Sequence, residues 1–469
     1  MREFLTLCGY EEAELAVELP RTERAFAALG LGEADIDRAR ERVHKYYDVE
    51  LLGVRKILRV FVRDFVNIVL LRDEGRDKLG YSFMAPGTET LGSAVMCNGG
   101  NVGWMNSGWT YLVVLGCIFD RLTPAIEAAE KLWLKTGIVA HCGNVKMDLG
   151  FFEMGLIPRP DLIVTAGFLC DTSSKSHDLI EKTYGVPSYY IDCWQDREWR
   201  EFPSATRATR FLAESLRRLV DHIEKETGFR LTEEMLSDAI AMRRPYQQAK
   251  QRVLDVMRHS DPVPLGGPHL NLLFSLDAIP FTEDEVAYTI EALDILREDL
   301  LARQRDGVGP TPKGAPRVLA VLPNHHGDPR WEYEANQMGI AIVGSDFEFT
   351  TVDAGMGTDP LDESDPYAVL AQPLHMSYEQ PLAARIAIIE KVCRDLQLDG
   401  LFNHYHAACR YVAADAMLIK SEITRRLGIP VLTFEWDNFD PRSFDHAERY
   451  PAELETFREM METARAGRR

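Results

Sequence analysis

Residues Asp161–Trp194 read "DLIVTAGFLCDTSSKSHDLIEKTYGVPSYYIDCW". The apolar run up to Cys170 has the length and composition of a buried strand. The stretch "SSKSHDLIEKTYG" predicts a helix closed by Gly185, and "VPSYYIDCW" predicts the next strand. Residues Asp399–Asp437, "DGLFNHYHAACRYVAADAMLIKSEITRRLGIPVLTFEWD", repeat that plan. Each segment opens on an aspartate and an apolar strand and places a cysteine at the strand end, Cys170 and Cys409. Each runs through a helix to Gly-Val-Pro or Gly-Ile-Pro and ends in a strand carrying an acidic residue, Asp192 or Glu435. Strand–helix–strand units of this kind build parallel sheets. An internal repeat therefore predicts two Rossmann-like α/β domains facing a cleft. Ligands bind outside the carboxyl ends of strands in such sheets, so both cysteines belong at that cleft.

The chain of 469 residues is long enough for two or three domains. Its net charge of −20 and lack of a long basic run speak against nucleic acid as a partner. The longest apolar stretches, such as "YLVVLGCIF" (111–119), are too short to span a bilayer, so no membrane association is expected. The first residues, "MREFLTLCGYEEAEL", lack a basic segment followed by an apolar core, and a cytoplasmic, reducing location is the expectation. Eight cysteines in such a chain are not a disulfide framework.

Composition divides the chain into four parts. Residues 1–80 are charged and rich in helix formers and form an N-terminal helical segment; residues 81–265 are the first α/β domain. Residues 266–312 are a helical connection and linker, with a capping-box spacing at Thr282 and Glu285 and the Pro- and Gly-rich "GVGPTPKGAP" at 307–316. Residues 313–469 form the second α/β domain with a charged C-terminal helix.

A third cysteine shares the pattern. "IVAHCGNVKMDLGFFEMG" places Cys142 just ahead of a helix. Cys142, Cys170 and Cys409 thus all fall at predicted helix N-termini, where thiolate charge is favoured. Three thiolates around one point suit an iron–sulfur cluster. Structural zinc is the rival, but it usually uses local CxxC pairs, and none is present. A Cys-His catalytic pair, with His404 or His406 beside Cys409, is the other alternative. Singly, each cysteine is as readily explained as a packing residue.

Three segments resemble one known family, that of the 2-hydroxyacyl-CoA dehydratases and benzoyl-CoA reductases. They are "AHCGNVKMDLGFF" around Cys142, "LCDTSSKSHDLIEKTYGVPSYYID" around Cys170, and "FNHYHAACRYVAADAMLIKSEITRRLGIPVLTFEWDNFDPRSF" around Cys409. The last is the most distinctive, with Asp440-Pro441-Arg442 near its end. The resemblance covers about Tyr81 to the C-terminus.

The resemblance implies that Cys142, Cys170 and Cys409 hold a [4Fe-4S] cluster between two Rossmann-like domains. It implies a homologous second iron–sulfur subunit, an ATP-hydrolysing iron–sulfur activator that delivers single electrons, and an acyl-CoA substrate. The expected reaction is reductive dearomatisation of benzoyl-CoA or a related aromatic acyl-CoA. The arginine-, alanine- and leucine-rich composition favours this over the alternative, removal of water from an (R)-2-hydroxyacyl-CoA through a ketyl radical. An electron-relay subunit without its own substrate site is the further alternative. Cys193, in "IDCWQD", departs from the family pattern and is an extra candidate ligand; with Cys97 and Cys117 it leaves a double-cubane cluster open. Cys393 lies on an expected helix core face and reads as packing. Candidate proton carriers are His325 and His326 in "PNHHGD", His404 and His406 ahead of Cys409, and Glu435 with Asp437 at a strand end. No Walker-A pattern occurs, so ATP hydrolysis is assigned to the activator.

Overall fold

The computed structural model describes residues 1–85, 87–136, 142–167, 170–192, 206–321, 327–351, 353, 362–371, 376–406, 409–437 and 439–468. Two four-stranded sheets organise the chain, ordered β2-β1-β3-β4 and β6-β5-β7-β8. In the first, β1 is Lys78–Phe83, β2 Val102–Met105, β3 Leu162–Ala166 and β4 Ser188–Ile191; in the second, β5 is Arg317–Ala320, β6 Ala341–Ser345, β7 Gly400–Phe402 and β8 Val431–Leu432. Every pairing is parallel. β1, β3, β5 and β7 read as largely apolar or small runs because helices cover both faces of a parallel sheet.

The two sheets have the same strand order, as the repeat predicts. In each, the chain turns to one side of the first strand and then crosses to the other, so the direction switches between β1 and β3, and between β5 and β7. The helix Asp171–Tyr184 follows β3 and the helix Arg410–Leu427 follows β7. Both end on a glycine in the left-handed region, Gly185 (φ +66°) and Gly428 (φ +65°), where a Cβ would be strained.

The N-terminal helices Arg2–Leu7, Glu12–Ala28, Glu33–Tyr46 and Leu52–Leu70 are not an appendage. The helix Leu52–Leu70 buries most of its length against the helix Glu283–Asp306. Gly53 lets the two backbones touch, since a Cβ there would lie 2.3 Å from Leu296 Cα. Polar contacts flank that crossing: Gly53 N donates to Asp299 Oδ2 (3.0 Å), Lys56 Nζ to Glu291 Oε1 (3.1 Å) and Asn67 Nδ2 to Glu285 Oε1 (3.0 Å). The capping box at Thr282 and Glu285 is formed. No helix among the described residues is long and apolar enough to cross a membrane.

The two halves meet at the carboxyl ends of their strands. A Cβ on Gly143 would come within 2.8 Å of Asp440 N, and one on Gly116 within 2.9 Å of Gly327 O. A polar clasp spans the same seam. Arg442 Nη2 donates to Glu130 Oε1 (2.8 Å) and to Asp440 Oδ2 (2.6 Å), and Lys146 Nζ donates to the same Glu130 oxygen (2.9 Å).

Candidate functional site

Cys142, Cys170 and Cys409 are the N-cap residues of the helices Gly143–Met154, Asp171–Tyr184 and Arg410–Leu427. Each has extended backbone angles, as an N-cap requires, and then enters a helix. Cys170 Sγ accepts from Ser173 N at 3.3 Å, the bond a serine oxygen makes at an N-cap, and lies 3.1 Å from Thr172 Oγ1. Backbone N–H groups and the positive helix ends thus favour negative charge on sulfur.

The three thiols act on one another. Burial pushes the Cys142 thiol well above its ordinary pKa, and negative charge at Asp437, Cys170 and Cys409 pushes it further, against the Val145 N–H, which lowers it. Anions crowded in this way repel each other unless a cation lies between them. The donor set therefore fits a thiolate-held cluster, and loading it must release protons. Among the described residues, no three His, Cys, Asp or Glu side chains converge tightly enough for a single metal ion.

Asp437 ties the second half to this point. Its Oδ2 accepts from Gly143 N at 2.6 Å, and its Oδ1 accepts from Phe439 N at 3.1 Å. Burial raises its carboxyl pKa, with the charge of His406 pulling the other way. His406 Nε2 lies 3.5 Å from Asp437 Oδ2.

The remaining candidates are placed differently. His404 is buried among aromatic rings, with centroids 3.8 Å from Trp436 and 5.3 Å from Phe402. Glu435 is exposed and extends the β7–β8 pairing through a bridge to Tyr405, whose hydroxyl is 3.5 Å from its carboxylate. Cys193, His325 and His326 lie outside the described residues. Cys97 is exposed, and Cys8, Cys117 and Cys393 are buried. Burial pushes the Cys117 and Cys393 thiols up to about 12.

Three features of the site escape a reading of the strand ends. The helices that start at Cys142 and Cys170 are joined underneath by Asp148 and His177, whose Oδ2 and Nε2 are 3.0 Å apart and fully buried. Tyr81 of β1 donates to the other Asp148 oxygen. A histidine and an aspartate on otherwise buried helix faces were the signal available. Beside Cys142, the amide oxygen of Asn144 is buried without a hydrogen-bond partner among the described residues, and so is that of Asn106, just past β2. Glu89, in the first turn of the helix after β1, has its carboxyl pKa raised by burial, against Arg243.

A family model described as 2-hydroxyglutaryl-CoA dehydratase, D-component, matches residues 112–461, a span that holds all three N-cap cysteines. The chain belongs to this family. It is 26% identical to a benzoyl-CoA reductase subunit of Thauera aromatica, over 70% of this chain and 78% of that one. It is 24% identical to the alpha subunit of (R)-2-hydroxyglutaryl-CoA dehydratase of Acidaminococcus fermentans, over 65% of this chain and 61% of that one. It is 22% identical to the (R)-phenyllactyl-CoA dehydratase alpha subunit of Clostridium sporogenes, over 71% and 79%. All three relatives are subunits by name, one of a reductase and two of dehydratases. The matched span reaches past the cysteines to the Asp440–Arg442 clasp and the Asp437 contact.

Proposed function

We propose that this chain is the iron–sulfur subunit of an activator-dependent radical acyl-CoA enzyme, acting in the reductive dearomatisation of benzoyl-CoA or a related aromatic acyl-CoA. The observation that supports the reading is that three cysteines cap helix N-termini, one of them in the other half of the chain, with Cys170 and Cys409 near enough to act on the buried Cys142 thiol. Cys142, Cys170 and Cys409 would hold a [4Fe-4S] cluster, which supplies single low-potential electrons to the acyl-CoA. The chain's own residues do the rest. Three helix N-termini stabilise the thiolates. Asp437 holds the helix start next to Cys142 through the Gly143 N–H.

The relatives also support the dehydration reading, since two of those described are dehydratase alpha subunits. The electrons come from an ATP-hydrolysing activator, and a homologous second subunit completes the enzyme. His406, close to Asp437, is the favoured proton carrier.

The test is anaerobic co-purification with the partner subunit, iron and sulfide analysis, and assay with activator and ATP. We expect close to four irons on this chain, loss of most of them in Cys409→Ala, and turnover of benzoyl-CoA. Full iron in Cys409→Ala would overturn the ligand set. Turnover only of a 2-hydroxyacyl-CoA would move the chain to the dehydratase reaction.

A further inference from the structure

The helices headed by Cys142 and Cys170 are tied to each other at one depth. Gly143–Met154 leads into β3 and Asp171–Tyr184 leads into β4, so both are crossover helices of a parallel sheet and run the same way, against the strands. Asp148 is the sixth residue of the first helix and His177 the seventh of the second. At about 1.5 Å per residue, their contact lies about 9 Å below Cys142 and about 10 Å below Cys170. The two cysteines therefore stand almost level. Tyr81 of β1 donates to the other Asp148 oxygen and pins the pair to the sheet as well.

Packing alone does not call for this pair. The His177 ring lies 5.7 Å from that of Phe83 and 6.3 Å from that of Tyr81, centroid to centroid, in surroundings that a leucine would fill. Its Nδ1 is buried with no hydrogen-bond partner among the described residues, a desolvation cost that an apolar side chain would avoid. A polar pair kept at that cost specifies alignment, because apolar faces slide past each other and a hydrogen bond does not. The second half carries a counterpart. Asp415 is the sixth residue of the helix Arg410–Leu427, the place that Asp148 holds after Cys142, and lies 3.9 Å from Arg385 Nη1. Arg385 is buried on the helix Leu382–Asp395 and donates to Asp346, just past β6, at 2.8 Å.

We propose that Asp148 and His177 are positioning residues for the cluster: their bond sets the register of the Cys142 helix against the Cys170 helix, so that both thiolates meet the same cluster. The assignment rests on the ligand set proposed above and adds what aligns it from below. Each side chain lies nearly two turns down its helix and acts only through the backbone that carries the cysteine. Without the bond, each helix stays folded but is free to shift along its axis, and the thiolates hold the cluster less firmly.

The test is iron release from the anaerobically purified complex to a ferrous-iron chelator, without activator or ATP. His177→Leu should release iron at least about tenfold faster than the unmodified chain and should broaden the electron paramagnetic resonance signal of the reduced cluster. Asp148→Leu, which breaks the bond from the other side, should do the same. His177→Gln, whose amide nitrogen stands where Nε2 does, should restore most of the native rate. Circular dichroism and the thermal midpoint of the complex should match those of the unmodified chain in all three. Native release from a leucine variant, or a glutamine variant as leaky as the leucine one, would overturn the positioning role and leave the ligand set standing. Faster release that comes with a fallen midpoint or a misfolded chain would overturn it too, since the pair then serves folding alone. An unmodified complex that carries no iron would overturn both readings.

Discussion

Gly143 N donates a 2.6 Å hydrogen bond to Asp437 Oδ2, joining the first helical residue after Cys142 to the end of the acidic strand of the second sheet. The glycine is required there, because a Cβ would strike Asp440 N and the Phe439 carbonyl carbon. One hydrogen bond thus sets how far the Cys142 helix stands from the half that carries Cys409. Asp437→Asn keeps an acceptor and should retain most of the iron, while removing a negative charge and so raising the cluster potential. Asp437→Ala removes the acceptor, leaves the Gly143 N–H unpaired at a cost of about 1–3 kcal/mol, and should lose at least half the iron. Iron analysis and a redox titration on both variants check the pair of outcomes.

Arg442 is the centre of the clasp between the halves. It holds Glu130 to a pKa of about 2 through direct hydrogen bonds, with Lys146 helping. The pair is partly exposed, so solvent screening limits its worth. Arg442→Ala should lower stability by about 1 kcal/mol at neutral pH, and Arg442→Lys should recover only part, because a lysine cannot reach both carboxylates bidentately. The Glu130 carboxyl is depressed, so this contribution is present above its unfolded pKa and fades as pH falls towards 2. Urea titrations at pH 7 and pH 3 measure the difference.

Asp64, on the helix Leu52–Leu70, is partly buried, accepts from Thr110 Oγ1, and has its carboxyl raised to about 7 by desolvation, with Glu285 adding to the rise. A raised carboxyl stabilises the fold fully below its unfolded pKa near 4, and that contribution is lost as pH rises through 7. Asp64→Asn should therefore be close to neutral at pH 4 and stabilising at pH 8, by about 1–2 kcal/mol once solvent screening of this partly exposed group is allowed for. Urea midpoints for the two proteins across that range should diverge as pH rises; parallel curves would contradict it.

Cys193 stands two residues beyond the last residue of β4, outside the described residues. The proposed ligand set of Cys142, Cys170 and Cys409 is complete without it, so Cys193→Ser should keep most of the iron and change activity or potential only. Iron falling by half, with a changed low-temperature spectrum, would point instead to a larger, double-cubane-type cluster.

The repeat was legible because it is local. An apolar strand, a cysteine at its end, a helix and a left-handed glycine are all encoded within a few tens of residues. Those signals place Cys170 and Cys409 at matching N-caps before any contact is known. Parallel sheets and the capping box at Thr282 follow from the same short-range chemistry. Histidines were harder, because a strand-end position does not say which way a side chain packs. His404 lies in an aromatic cluster, whereas His406, two residues on, lies beside Asp437.

What the sequence determined by itself was the pair of α/β units and the cysteine at the head of each key helix, since caps and periodicity are properties of neighbouring residues. Tertiary structure alone decided that Gly143 meets Asp437 and that Asp148 meets His177. Each of those contacts joins separate elements, and its partners are chosen by how whole helices and sheets pack, which no short stretch of chain specifies.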